Sequence, residues 1–394
     1  MIRNESALAP GLIRGAACAA DWLRDDPGRF AARKSGCFEP SMSSDHLQLI
    51  LRLAESSLIA AAGGILFNAA GFPAGWLAGS MVFAGAAALM GRPIFMPTLL
   101  ARTFYVILGI SIGGVVTPQT LTGMASWPLS IVLVCVAMAC VTAGTTAYLR
   151  NAYGWDSQTA LFAGIPGALS QVMALAAERD VDLRAIAIVQ TMRVVILAVC
   201  VPAALGLFGI AGPTRLPTGA MAIADAPAEF VGLVLVSAII GVGLLRLGFP
   251  GGLIFGPMVA SAILHGGNFV HLGLPAWVAN TAMIGIGAVT GSRFVNTSAR
   301  LLGSYIGAAL GSFAVSIVIA AGFALAAIGL MSVHVSDVIV AYAPGSVDAM
   351  MILALAMHLD PVFVGAHHLA RLFVVSLSLP ILVRWLGRPK DADY

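Results

Sequence analysis

Twelve apolar runs fill almost all of the chain from residue 49 to residue 386, and this pattern decides what the chain can become. The runs occupy residues 49–71, 75–91, 98–117, 128–149, 158–177, 184–210, 229–248, 251–266, 276–292, 302–330, 337–357 and 361–386. Turn signals separate them, as at Gly71-Phe72-Pro73, Gly91-Arg92-Pro93, Thr117-Pro118 and Gly248-Phe249-Pro250. In a bilayer core every backbone N–H and C=O must find its partner inside the protein, so recurring apolar runs of this length become helices. Charge placement agrees. Twelve of the 39 Asp, Glu, Lys and Arg residues crowd into residues 1–48. An ordinary soluble domain carries about 25% charged residues, and this chain carries 10%. The expectation is an all-α polytopic protein of the bacterial inner membrane.

Several function classes drop out. A net charge of +3 with no Lys/Arg stripe gives no direct nucleic-acid surface. Cys18, Cys37, Cys135, Cys140 and Cys200 form no C-x-x-C pattern, which argues against a disulfide framework or a zinc site. No GxxxxGK[ST] loop is present to drive an ATP-powered pump. His367 and His368 are adjacent on a helix, about 100° apart, which suits joint chelation poorly. No metal, no cofactor and no catalytic residue are expected.

The first 48 residues are expected to form a polar N-terminal tail, and residues 1–41 hold no apolar run long enough for a signal-peptide core. Two readings stand beside each other: a disordered cytosolic tail, or an overextended start with Met42 as the true first residue. A second polar stretch, 211–228, divides the rest into a first membrane unit, 49–210, and a second, 229–386. Residues 387–394 are a short C-terminal tail.

The two units read as copies. Phe72-Pro73-Ala74-Gly75 resembles Phe249-Pro250-Gly251-Gly252 at an offset of 177. Gly109 and Gly113 match Gly287 and Gly291 at 178, and Pro166-Gly167 matches Pro344-Gly345 at 178. Met173, Asp182, Arg193 and Pro202 match Met351, Asp360, Arg371 and Pro380 in the same register. The Gly-x-x-x-Gly pairs suit close helix packing.

The fifth run of each copy is broken near its middle. Pro166-Gly167 and Pro344-Gly345 remove a donor and add backbone freedom, so neither run spans as one straight helix. If each returns to its own side, each copy has five spans and the copies are inverted. Eleven of twelve counted loop and helix-end cations then fall inside, with Arg215 outside. If the fifth run spans instead, Arg179, Arg184, Arg246, Arg293 and Arg300 face outward. The positive-inside bias favours inversion. The expected architecture is about ten spans plus two re-entrant segments, with both termini cytoplasmic.

Candidate site residues cluster at the breaks. Arg193 and Arg371 lie mid-way along apolar helices, where a guanidinium must be paired or hydrated. Gln190 and its counterpart His368 sit three residues earlier on the same face. Each Arg either caps carbonyls freed by a break or serves an anionic ligand. A half-helix starting after a break presents unpaired N–H groups that bind anions. Ser170 and Asp348 are counterparts just after the breaks. Asp348 is either a helix-start residue, a proton or cation carrier, or a partner for an Arg.

The paired Pro-Gly-Ala-Leu-Ser-Gln and Pro-Gly-Ser-Val-Asp-Ala-Met segments, each followed by a helix with a buried Arg, resemble the AbrB membrane-protein family. The likeness covers about 50–386. The usual family pattern looks like Pro-Gly-Gly-(Leu)-(Ser)-Glu-Met, and this chain departs from it at Ala168, Gln171, Ser346, Asp348 and Ala349. The resemblance implies an internally duplicated membrane protein. Its members carry labels of transcriptional regulator and of ammonia monooxygenase, and neither label follows from these residues.

The leading expectation is a secondary transporter of a small polar or anionic solute, with a midplane site between the copies. Its candidate residues are Pro166, Gly167, Ser170, Gln190, Arg193, Pro344, Gly345, Asp348, His368 and Arg371. A membrane-embedded regulator or sensor of gene expression is the alternative, and a monooxygenase-like enzyme ranks below both. The expected partners are the lipid bilayer and an unidentified small molecule. Self-association as a homo-oligomer is left open.

Overall fold

The computed structural model describes residues 42–115, 127–167, 169–209, 226–249, 251–295, 297–331 and 333–386. The N-terminal tail up to residue 41, most of the 211–228 linker, Ala168, Pro250 and residues 387–394 lie outside the described residues. Fourteen α-helices and one 3-10 turn carry the described chain, and no strand occurs among the described residues. The helices are α1 (Met42–Ala69), α2 (Gly75–Leu89), α3 (Thr98–Gly113), α4 (Pro128–Tyr153), α5 (Ser157–Gly164), α6 (Leu169–Ala176) and α7 (Leu183–Leu207). They continue as α8 (Pro227–Arg246), α9 (Gly252–Gly266), α10 (Ala276–Gly291), α11 (Ala299–Leu330), α12 (Val335–Tyr342), α13 (Val347–Ala356) and α14 (Pro361–Leu386).

Six of these, α1, α4, α7, α8, α11 and α14, are long and apolar enough to cross a membrane. The chain is a helical membrane-embedded protein. The expected ten spans would take in four shorter apolar helices as well. Helices α2, α3, α9 and α10 have 15 or 16 residues, short of the roughly 20 a bilayer core asks for. Turn residues account for the shortening. Gly91-Arg92-Pro93 ends the run after α2, and Pro97 and Pro275 set the starts of α3 and α10. Helix α1 begins at Met42, seven residues before the apolar run.

Glycines govern how the short helices pack. On α3, Gly109 and Gly113 lie against Ile254, Pro257, Met258 and Ser261 of α9. On α10, Gly287 and Gly291 lie against Leu77, Ser80, Ala84 and Gly85 of α2. A Cβ on Gly109 would sit 2.9 Å from Pro257 Cβ, too close for real atoms. The two contacts are counterparts at the sequence offset, with partners exchanged between the chain's halves. Long helices α4 and α11 pack on each other, α5 packs on α7, and α12 packs on α14.

Asp182 starts α7, accepting N–H bonds from Arg184 and Ala185 at 3.0 Å each. Asp360 starts α14 in the same way, through Val362 and Phe363 at 3.0 Å each. The Asp182 carboxylate also accepts the Tyr305 hydroxyl at 2.7 Å, which ties α7 to α11. Partial burial pushes its pKa up, but the Ala185 amide, the Tyr305 hydroxyl and the Arg184 amide together outweigh this and hold it below the usual value.

Two outcomes follow from this packing. Gly109→Val should lower the thermal unfolding transition in detergent by the equivalent of about 1–3 kcal/mol. Gly232→Ala on α8, with no atom within 4 Å of the new methyl, should leave it unchanged. Asp182 contributes stability that is full above the ordinary carboxylate pKa of about 4. That contribution is lost as pH falls through the lowered folded-state value. Asp182→Asn should therefore flatten the acid limb of transition temperature against pH, and an unchanged limb would refute the assignment.

Candidate functional site

A helix ends with carbonyls that have no partner in the next turn, and a bilayer offers no water to take them. This chain breaks two helices inside the protein. After α5 the backbone turns extended at Ile165, with φ −64° and ψ 122°. After α12 it does the same at Ala343, with φ −55° and ψ 132°. Pro166 and Pro344 follow, and neither can carry the helix on.

Side chains from the next long helix take up the freed carbonyls. Gln190 Nε2 on α7 donates to Phe162 O at 2.6 Å. Arg193 Nη2 donates to Ala163 O at 2.9 Å and Nη1 to Gly164 O at 3.4 Å. In the second half, His368 Nε2 on α14 meets Val340 O at 3.1 Å. Arg371 Nη1 donates to Ala343 O at 2.9 Å, and Nη2 donates to Gly345 O. Phe162 and Val340 stand in the same register as Gln190 and His368. A cation at a helix C-terminus also complements the negative end of the macrodipole.

The two breaks touch. Gly167 adopts φ +85°, where side chains are strained. A Cβ there would sit 2.6 Å from Arg371 Nη2 and 2.9 Å from the Gly345 carbonyl oxygen. Only a glycine lets the first break lie against the second.

A cavity of about 300 Å³ lies at this crossing. Its polar walls are Gln171, Gln190, Arg193, Arg293, Ser346 and Asp348, beside Gly167 and Pro344. Leu169, Val194, Val347 and Leu372 give it apolar walls. Three helix starts reach it: Leu169 of α6, the α13 cap Ser346, and the α9 cap Gly251. Arg193 is 3% exposed, and its Nε has no hydrogen-bond partner among the described residues.

Of the sequence candidates, Gly167, Gln190, Arg193, Pro344 and Asp348 line this cavity. Pro166, Gly345, His368 and Arg371 belong to the breaks and their supports, and none of the four lines it. Ser170 lies in α6, and its side chain is outside the described residues. Arg293 and Gln171 line the cavity although sequence reasoning did not place them there. Arg293 carried a usable signal: it follows the matched Gly291 by two residues, where the first half has Val115 after Gly113. Gln171 is held by the Ser376 hydroxyl of α14 at 2.7 Å.

A second cavity, of about 390 Å³, lies at the other end of α13. Ala74 and Val115 line it, the counterparts of Gly251 and Arg293 in the first cavity. Asn280, His265 and His358 add polar groups.

The chain matches the family described as "Transition state regulatory protein AbrB" over residues 76–387. It belongs to the AbrB family. The protein named "Putative regulator AbrB" from Escherichia coli (strain K12) is 26% identical over 331 residues, covering 82% of this chain and 92% of that protein. "Uncharacterized protein YhjN" from Bacillus subtilis (strain 168) is 24% identical over 364 residues, covering 84% of this chain and 94% of that protein. No solved structure matches the chain. The AbrB match takes in both broken segments and both buried arginines, so the crossing lies wholly within the family region.

Arg371 is 1% exposed, and both its Nη groups are engaged with break carbonyls. Arg371→Ala should act first on folding, since it bares the buried Gly345 carbonyl at about 1–3 kcal/mol and leaves Ala343 O with the Gly345 N–H alone. The expected result is a lowered unfolding transition and reduced folded yield. A variant with wild-type thermal stability would show that the caps are dispensable.

Proposed function

We propose that this chain is a secondary transporter of a small polar or anionic solute, built from two copies of one unit in opposite orientation. The observation that carries the reading is the cavity where both breaks and Arg193 meet. Transporter sites lie at the midplane, between repeats, at the ends of discontinuous helices. The exchanged contacts, α3 with α9 and α10 with α2, are what a two-fold relation between copies produces.

Helices α5, α6, α12 and α13 have 8, 8, 8 and 10 residues. Each rises about 12–15 Å, half of a roughly 30 Å core. We therefore read 158–177 and 337–357 as re-entrant segments, entering from the cytoplasm and from outside. Counting the four short helices as spans gives ten, with a mismatch that local bilayer thinning absorbs. Positive-inside bias then sets both termini in the cytoplasm of a bacterial inner membrane. In that orientation the cavity at the breaks faces the cytoplasm and the second cavity faces outside. Met350, Met351, Ile352, Leu353 and Ala354 of α13, with no exposed surface, separate them. This is an inward-facing arrangement, and exchanging the shapes of the two copies would open the other side.

A regulator is the second reading, favoured by the name of the Escherichia coli relative. It would use the same cavity to sense a ligand without moving it. Two experiments decide. Reconstituted protein should accumulate labelled small organic anions in liposomes, whereas binding without flux favours the sensor. Asp180→Cys and Ser298→Cys, on a chain without its five native cysteines, should resist a membrane-impermeant thiol reagent added outside intact cells and react in inverted vesicles. Labelling of either from outside would overturn the inverted arrangement.

A further inference from the structure

We infer that the cavity at the breaks binds a small monocarboxylate together with one proton carried on Asp348. The inference rests on the proposed function for its location and goes beyond it in naming substrate class and coupling ion.

The cavity is built for an anion. Arg193 and Arg293 line it, and three helix starts bring positive dipole ends to it. Arg193 offers a buried Nε with no partner among the described residues. Gln171 and Gln190 line it with amide groups able to fix an oxygen. The apolar walls at Leu169, Val194, Val347 and Leu372 would be wasted on a bare inorganic anion. They suit one carboxylate with a hydrocarbon body and suit a second charged group poorly. A water occupies about 30 Å³ of liquid. A cavity of about 300 Å³ therefore holds a solute of up to roughly ten non-hydrogen atoms.

Asp348 is the acid in this anion site. It stands in the first turn of α13, and a Cβ on Gly251 of α9 would lie 3.7 Å from its Oδ1. No described residue gives it a hydrogen bond or a close ion pair, although the charge of Arg293 reaches it. A carboxylate substrate drawn to the same helix starts would be repelled by an ionised Asp348. A proton on Asp348 removes the repulsion and leaves a donor for a substrate oxygen.

Among the described surrounding groups, Arg293 offsets part of that charge. Arg293 stands in the turn after α10, and Tyr105 on α3 interacts electrostatically with Asp348. The elements packed against α13 also carry Arg193 on α7, Asp337 and Tyr342 on α12, and His367, His368 and Arg371 on α14, with Asp360 at its start. Arg193 and Arg371 are engaged with backbone carbonyls. The His367 and His368 rings each meet one too. Asp348 is therefore the group left to change charge when a carboxylate arrives.

The test reads binding without flux. Full-length protein in nanodiscs is titrated with pyruvate, butyrate and benzoate, and with succinate, sulfate and alanine for comparison, between pH 5.5 and 8. The readout is the shift of the thermal transition. At least one monocarboxylate should bind, with affinity rising about tenfold per pH unit as pH falls, the signature of one coupled proton. In Asp348→Asn the affinity, whatever its level, should no longer change with pH. Asp348→Ser, which installs the residue of the first copy, guards against a fold-specific effect of Asn and should do the same. Arg293→Gln should weaken binding about tenfold at every pH. The proposal is overturned if none of the three monocarboxylates binds, if the comparison solutes bind as well as they do, or if the pH slope survives in both Asp348 variants. Binding that passes these criteria without flux in liposomes would remove the transporter reading and leave this inference standing.

Discussion

Everything at the centre of this protein depends on finding donors for carbonyls that a broken helix leaves bare in a medium without water. Arginine meets the demand better than any other side chain. Its planar head offers five donors in a fixed fork and keeps its charge. Arg193 covers Ala163 and Gly164, and Arg371 covers Ala343 and Gly345. The two guanidinium groups lie near enough to repel each other. The negative ends of α5 and α12 offset that repulsion, which is why two cations can share one apolar interior. Gln190 takes the next carbonyl back on α5, that of Phe162, and His368 meets that of Val340, three residues before Ala343, on α12.

The positions matched at the constant offset divide into those that keep their residue and those that do not. Scaffold positions keep the same residue in both halves: Gly109 and Gly287, Asp182 and Asp360, Arg193 and Arg371. Two of the positions lining the cavity differ: Asp348 stands where the first half has Ser170, and Arg293 where it has Val115. Both differences put charge on one side of the molecule. The backbone framework is nearly symmetric in its contacts, and the chemistry laid on it is not.

Much of this was legible in the sequence, because apolar run length and Pro-Gly punctuation are local signals. The helices, the positions of both breaks and the constant offset all follow from them. Burial of Arg193 and Arg371 followed from the cost of a guanidinium in lipid. The carbonyl each arginine caps was not legible, since that depends on how α7 crosses α5 and how α14 crosses α12. Arg293 was hidden for the same reason. By sequence it is one more loop cation, and only the packing of the turn after α10 against α2 and α10 carries it to the cavity that Asp348 also lines. Helices α2, α9 and α10 follow their apolar runs, 75–91, 251–266 and 276–292, to within two residues at either end.

The glycine contacts also bear on how the protein is made. Gly109 and Gly113 of α3 close on α9, and Gly287 and Gly291 of α10 close on α2. Neither half holds both sides of either contact. When α3 leaves the ribosome its partner surface is still some 140 residues from being synthesised. The glycine face of α3, and the face of α2 at Leu77, Ser80, Ala84 and Gly85, must wait for their partners until α9 and α10 insert. Assembly of the interior is thus a late event, and a chain stopped after the 211–228 linker would reach the membrane with its central seam unclosed.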